Sequence, residues 1–285
     1  MMKNGLFVGL VTLDILYLTD EFPERNQKVV ASNDTIAAGG PATNAAVTFS
    51  YFKNQASILG AIGKHPISNL IRADLEACQV NAIDLDKDRV DSPPVSSTIS
   101  TAFTGDRAVI SVNAVKSQAD VSAIPADILD DVDVVLIDGH QMIVSEYLAK
   151  QAKAKKIPVV VDGGSWKPGF EKVLCWADYA IVSANFFPPG CESQAEVFAY
   201  LHSSEITQIA LTNGEKPIKY FSEGERGELA VPQITAVDTL GAGDIFHGAF
   251  CHYILQTNFI EALSNSAKIA AFACQSWGTR QWMQR

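Results

Sequence analysis

The segment Val237-Asp238-Thr239-Leu240-Gly241-Ala242-Gly243-Asp244 runs directly into the apolar-periodic stretch Ile245, Phe246, Ala249, Phe250, Tyr253 and Ile254. Two glycines and a carboxylate therefore stand at the start of a helix. Gly241 and Gly243 let the backbone approach an anion closely, and the orphan N–H groups of the first helical turn, with the positive end of the helix dipole, point at the same spot. The chemistry suited to that place is stabilisation of an oxyanion or a phosphoryl group. Asp244 is either a proton acceptor beside that group or an ordinary helix-start carboxylate, and the dipole is expected to keep it ionised. The segment is not a P-loop, because no glycine in the chain is followed by Lys-Ser or Lys-Thr. Nor is it a dinucleotide fingerprint, since the next glycine is Gly248, so a nicotinamide dehydrogenase is disfavoured.

A second constellation lies at Ala37-Ala38-Gly39-Gly40-Pro41-Ala42-Thr43-Asn44-Ala45-Ala46, which passes from an extended segment through two glycines into a helix. Consecutive glycines suit a hinge or a close ligand approach, and Pro41 is favourable at a helix start. Asn44, in the first turn, presents an amide suited to a hydroxylated ligand; taken alone, Gly-Gly-Pro is also an ordinary loop.

The elements that must position these residues follow from hydrophobic periodicity. Leu6 to Val11 reads as a strand, Pro41 to Lys53 as a helix, Ser57 to Ile62 as extended and Pro66 to Gln79 as helical. The rhythm repeats through strand Val132 to Asp138, helix Met142 to Lys155, strands Ile157 to Asp162 and Tyr179 to Ser183, helix Glu192 to His202 and strand Ile206 to Leu211. Such alternation predicts an α/β, doubly wound and mainly parallel sheet with helices on both faces. In that architecture the ligand crevice lies beyond the carboxyl ends of the strands. Those ends read Asp14, Asp138-Gly139-His140, Asp162-Gly163-Gly164-Ser165, Ser183-Ala184-Asn185 and Thr212-Asn213-Gly214, each also a common turn sequence. Two segments break the rhythm. Residues 15–38 and 95–112 alternate apolar and polar positions, with a hairpin turn expected at Thr104-Gly105-Asp106-Arg107, and suggest a small sheet inserted twice from the main domain.

At 285 residues, 47% of them apolar and 19% charged, the chain can bury a large core and is not a disordered tail. The net charge of −10 argues against nucleic acid and anionic membranes as partners, while a local basic pocket for a small phosphate is still allowed. The five cysteines, Cys78, Cys175, Cys191, Cys251 and Cys274, form no ligand cluster and read as thiols in a reducing cytoplasm. No stretch approaches the ~20 apolar residues of a membrane span.

Together, Gly39-Gly40-Pro41-Ala42-Thr43-Asn44-Ala45-Ala46 and Asp238 through Phe250 resemble the N- and C-terminal signatures of the ribokinase-like PfkB carbohydrate kinases, in order, separation and chain length. The resemblance implies a ribokinase-like, Rossmann-like core, residues 1–14, 39–94 and 113–285, with a β-sheet lid, residues 15–38 and 95–112. It implies ATP-dependent phosphorylation of an alcohol on a small sugar, with Mg2+ and ATP as cofactors and a monovalent cation as a further candidate. A small sheet with an apolar back face is poorly covered by one domain alone, so a homodimer formed through the lid is expected. Carried over by motif, Asp244 resembles the catalytic base, and Gly241, Ala242 and Gly243 the anion hole. Asp14 resembles the carboxylate that grips sugar hydroxyls, with Gly39, Gly40 and Asn44 completing the cradle. On the nucleotide side, Thr212 and Gly214 resemble the contacting turn, while Ala271 to Gly278, including Ala273 and Gly278, resembles the adenine wall. Many relatives carry N-x-x-E where this chain has Asn185-Phe186-Phe187-Pro188, so Asn185 stands without the acid that helps place magnesium. The Gly-Asp-Ile-Phe-His-Gly-Ala and Asp162-Gly163-Gly164 stretches lean toward kinases of ketoses. A nucleoside kinase of the same fold and a catalytically silent regulatory relative are the alternatives.

Overall fold

The computed structural model describes residues 2–102, 106–112 and 118–285. Strand β1 (Asn4–Val8) enters the core, and the chain then leaves it at once for β2 (Thr12–Thr19) and β3 (Asn33–Gly39). Helix α1 (Pro41–Tyr51) returns to β4 (Gln55–Gly60), and α2 (Ser68–Ala77) leads to β5 (Val80–Asp84). Strands β6 (Val95–Thr101) and β7 (Arg107–Ser111) make a second excursion. The chain then alternates through β8 (Val134–Ile137), α3 (Met142–Ala154), β9 (Val159–Gly163), α4 (Phe170–Leu174), β10 (Tyr179–Ser183), α5 (Gln194–Ser203) and β11 (Gln208–Asn213). A hairpin of β12 (Lys216–Ser222) and β13 (Glu225–Leu229) precedes α6 (Ala242–Ile254) and α7 (Phe259–Ala273).

The described strands form a nine-stranded sheet in the order β13-β12-β11-β10-β9-β8-β1-β4-β5, parallel except for β12 and β13, and a separate four-stranded sheet in the order β3-β2-β6-β7. Both faces of the large sheet are covered. Ala42, Val47 and Phe49 of α1, Ile71 and Leu75 of α2, Phe250 of α6 and Leu263 of α7 pack on one face, and Val144 and Leu148 of α3, Val173 of α4 and Leu201 of α5 on the other. Central strands such as β8, buried at every position, are correspondingly runs of Val, Leu and Ile. Strand order reverses at β1, which lies between β8 and β4, so the crevice of this sheet opens beyond the ends of β1 and β8.

Two expectations need correcting. The first strand stops at Val8 rather than Val11, because the Leu10 N–H is taken by the carboxylate of Asp138 (2.9 Å) and the chain turns there toward the small sheet. Asp14 is consequently not at a strand end of the core. It sits inside β2, paired with Ala37 of β3 and Ser96 of β6, so the small sheet begins at Thr12 and runs through Gly39. Phe103 and the Thr104-Gly105 part of the expected hairpin turn lie outside the described residues. On either side of it β6 and β7 pair antiparallel, with Thr101 N–H donating to the Asp106 carbonyl at 2.9 Å.

Candidate active site

Helix α6 begins at Gly241, whose φ of 70° is the left-handed conformation that favours glycine. A side chain there would also strike Thr279, whereas around Gly243 there is open space. Ala242 N–H makes a long bond to the Thr239 carbonyl (3.3 Å), and the first-turn amides have no carbonyl four residues back to bond, so this turn offers donors to a ligand. Asp238 braces the loop from behind: its carboxylate accepts from Leu240 N–H (2.9 Å) and from Gly278 N–H (2.9 Å).

This loop is the common wall of two cavities. The larger, about 630 Å³, is bordered by Leu240, Gly241 and Asp244 on the loop side, by Gly40 and Asn44, by Thr12, Asp14, Ser96 and Ser111 of the small sheet, and by His140 and Trp166-Lys167 beyond β8 and β9. Its neighbour, about 400 Å³, is bordered by Thr239, Ala242, Gly243 and His247 and is otherwise largely apolar, with Ile218, Val231, Ile234, Ala267, Ala270 and Ala271 around it and Thr212 and Gly214 at its edge.

In the polar cavity, Asp244 Oδ2 accepts from Asn44 Nδ2 at 2.8 Å. Burial pushes the Asp244 carboxyl up to about 7, Asp162 and Asp138 push the same way, and the Asn44 amide and His247 only partly oppose them. A helix-start position alone therefore does not keep Asp244 fully ionised, contrary to the expectation from sequence; desolvation and neighbouring carboxylates outweigh the dipole. Asp14 is raised by burial as well, against a hydrogen bond from Thr12 Oγ1 (2.6 Å) and the positive charge of Arg280. Gly39 exists for Asp14: a Cβ at 39 would lie 1.9 Å from that carboxylate. Gly40 has φ 104° and abuts the Leu10 carbonyl, so this turn tolerates no side chain.

Further residues matter that the motifs did not single out. Asp138, fully buried, accepts from Leu10 and Ala42 N–H on one oxygen and from His140 N–H on the other, with His140 Nδ1 at 3.1 Å. Burial pushes this carboxyl up, but His140 and the backbone donors win and hold it near 2. Gly9 makes room for it, since a Cβ there would lie 2.0 Å from the carboxylate. Asp162 is buried beside His247 (Nδ1 to Oδ2, 3.4 Å), and its Oδ2 has no hydrogen-bond partner. Arg280 reaches across from the C-terminal segment to Asn44 Oδ1 (3.0 Å). In sequence, the clusters Asp138-Gly139-His140 and Asp162-Gly163-Gly164 signalled the first two only as polar strand ends, and nothing local signalled Arg280.

Among the residues expected on the nucleotide side, Thr212 and Gly214 border the second cavity and three others do not. Ala273 faces away from it, packed with Ile245 and Trp282, because a helix that turns Ala267, Ala270, Ala271 and Cys274 to the cavity sends position 273 to the opposite face. Gly278 (φ 71°) lies near Leu16 and Thr35 of the small sheet. Asn185 is exposed after β10 and borders neither cavity.

The family model for the pfkB family carbohydrate kinases matches residues 2–284. The chain belongs to that family. As a carbohydrate kinase it is a phosphotransferase with an alcohol acceptor, of the ribokinase-type sugar and nucleoside kinases. It is 25% identical to the deoxyribokinase of Salmonella typhi over 96% of this chain and 93% of that one, and 24% identical to the ketohexokinase of Mus musculus over 95% and 96%. In fold it is similar to the ribokinase of Arabidopsis thaliana complexed with ribose and ATP (TM-score 0.77, 20% identity, all of both chains) and to the ribokinase of Thermotoga maritima (TM-score 0.79, 18% identity, 100% and 98%). The fold of this carbohydrate kinase is thus the ribokinase fold, a doubly wound sheet with a smaller separate sheet.

Proposed function

We propose that this carbohydrate kinase transfers the γ-phosphoryl group of ATP to a hydroxyl of a small sugar held in the polar cavity, with ketoses the first acceptors to try. The observation that carries this reading is the position of the Leu240–Asp244 loop between a cavity whose wall carries Asp14, Asp244 and Asn44 and a more apolar one. Asp14, Gly40 and Asn44 grip sugar hydroxyls, with Gly39 making space for Asp14. The apolar cavity takes the adenine, its edge at Thr212 and Gly214, and the phosphates reach the loop from that side.

Asp244 accepts the proton of the attacking hydroxyl, and the amides of Gly241, Ala242 and Gly243 stabilise the charge on the transferred group. Most of the acceleration comes from holding the two reactants in line beside preorganised donors. At about 7, the Asp244 carboxyl has the affinity for protons that suits a base working near neutrality. Magnesium would supply charge neutralisation on the phosphates; Asn185, exposed, outside both cavities and without a neighbouring acid, would contribute little to holding it, leaving that to ATP and water. The small sheet closes over the sugar, pivoting at Gly39-Gly40, and so excludes water. Its exposed Ile36 and Ile110 are where a second copy docks.

The deciding experiment is a panel of pentoses, ketohexoses, deoxy sugars and nucleosides assayed with Mg-ATP, in potassium and in tetramethylammonium salts. Turnover of a sugar supports the reading. Turnover of nucleosides alone reassigns the acceptor, and none at all favours a silent relative.

A further inference from the structure

We propose that Arg280 is a positioning residue for phosphoryl transfer, fixing the Asn44 amide so that its Nδ2, and not its Oδ1, meets the Asp244 carboxylate. A guanidinium has only N–H donors, so whatever faces it must accept. Arg280 Nη1 donates to Asn44 Oδ1 at 3.0 Å, which turns Nδ2 of the same amide toward Asp244 Oδ2 at 2.8 Å. The amide links the two, and Arg280 decides its sense.

Arg280 can do this because it cannot turn itself. Its other terminal nitrogen donates to the Ala38 carbonyl (2.6 Å) and to Asp74 Oδ2 of α2 (3.2 Å), and the same Asp74 oxygen accepts from Ala38 N–H (2.9 Å). The backbone behind it is pinned by Trp282, fully buried against Tyr51, whose Nε1 donates to the Thr279 carbonyl at 3.1 Å. The guanidinium therefore ties the end of β3, just before the Gly39-Gly40 turn, to the proton acceptor, although 236 residues of sequence separate Arg280 from Asn44.

Three titratable groups bear on Asp244 besides this amide: Asp162 of β9, Asp138 beyond β8 with its partner His140, and His247 on the same helix. Asp14 and Lys167 line the cavity around it. Two of those immediate neighbours are carboxylates, so the amide donor is one of the few influences favouring the ionised base. With Arg280 gone, Asn44 can present its oxygen to a protonated Asp244 instead, and the base is lost at neutral pH.

The inference rests on the reading of Asp244 as the base, and the test separates the two. The Asp244 carboxyl is titrated by carbon-13 NMR in the ligand-free protein, its signal assigned by its loss in Asp244→Asn. Arg280→Gln keeps much of the side-chain length but can donate or accept, so it no longer dictates the amide; Arg280→Lys keeps a donor-only cation. The expected result is a midpoint raised by about one pH unit in Arg280→Gln, the scale of one charge-assisted hydrogen bond, and nearly unchanged in Arg280→Lys. The acidic limb of kcat/KM for the acceptor found in the panel should move with it, so that at pH 7 the loss is several-fold and at pH 9 it is largely recovered. In an Asn44→Ala background Arg280→Gln should add no further shift. Equal midpoints in wild type and Arg280→Gln, or equal shifts in the Gln and Lys variants, would overturn the proposal. Near-normal turnover by Asp244→Asn would instead overturn the base assignment and leave the titration to stand by itself.

Discussion

Asp244 borders the larger cavity and Asp138 lies buried behind its wall, and their surroundings drive the two carboxylates in opposite directions. Asp138 is met by three backbone N–H groups and by His140, and is held near 2. Asp244 is met by one amide, faces two other carboxylates, and is pushed to about 7. Depth of burial is thus not what separates them; the charges beside each, His140 against Asp162, and then the donors to each, are. A saturated carboxylate is a structural tie, here joining the β1–β2 turn, the start of α1 and the end of β8. An underserved one has acceptor capacity left for a proton or a ligand.

The strongest way to break this comparison is Asp244→Asn. It preserves shape and can still bond Asn44, so fold and ligand binding should persist while turnover falls by about 10²–10⁴, the usual contribution of a positioned base. Steady-state kinetics beside a thermal melt would decide it, and a near-normal rate in a normally folded protein would be fatal to the assignment. At Asp138 the loss should fall on stability instead. Asp138→Asn cannot accept from all the donors now aimed at it, and urea unfolding should register roughly 2–4 kcal/mol.

Asp14 resembles Asp244: it is raised by burial and has one side-chain hydrogen bond, from Thr12. Asp14→Ala should weaken sugar binding by roughly 2–3 kcal/mol with ATP affinity nearly unchanged; calorimetry showing equal losses for both ligands would make Asp14 a structural tie after all.

The same contrast fixes the pH dependence. For Asp138, held below its ordinary 3.8, the stabilisation is present above about pH 4 and is withdrawn as pH falls toward 2. For Asp244, raised above 3.8, the favoured state is the protonated one, so its stabilisation is present below about pH 4 and lost as pH rises through about 7. Asp244→Asn should therefore gain stability relative to wild type as pH rises from 5 to 9, by roughly 2–3 kcal/mol. The kcat/KM of the wild type should climb through an acidic limb near pH 7. A denaturation series showing a constant difference between the two proteins would mean that Asp244 is not raised. The smallest effect is expected at Asn185, which borders neither cavity: Asn185→Ala should slow turnover by no more than about threefold, and a loss rivalling that of Asp244→Asn would move the phosphate site out of the cavity assigned to it.

Much of the fold was legible because its signals are local. Alternating β-branched runs and helical stripes marked the parallel sheet, and the two irregular segments marked the second sheet, since period 2 and period 3.6 patterns are written into neighbouring residues. The β12–β13 hairpin was not legible. Lys216 to Leu229 is rich in charge, as befits a sheet edge, and lacks the apolar alternation that declares a strand. Strand boundaries failed where a distant side chain captured a backbone group, as Asp138 does at Leu10.

In the site, the sequence by itself determined the glycine loop, the helix behind it and the presence of Asp244 in its first turn, because the conformational freedom of Gly241 and the orphan amides of a helix start are properties of a few consecutive residues. It also placed Gly39, Gly40 and Asn44 at a strand-to-helix turn. Only the tertiary structure decided which carboxylate is saturated and which is not, that Gly9 and Gly39 exist to admit Asp138 and Asp14, that Ala273 turns away from the second cavity, and that Arg280 holds Asn44 from 236 positions away. The physical reason is that desolvation, charge proximity and hydrogen-bond satisfaction depend on distances in space, and a chain folded through two sheets makes those distances independent of separation in sequence.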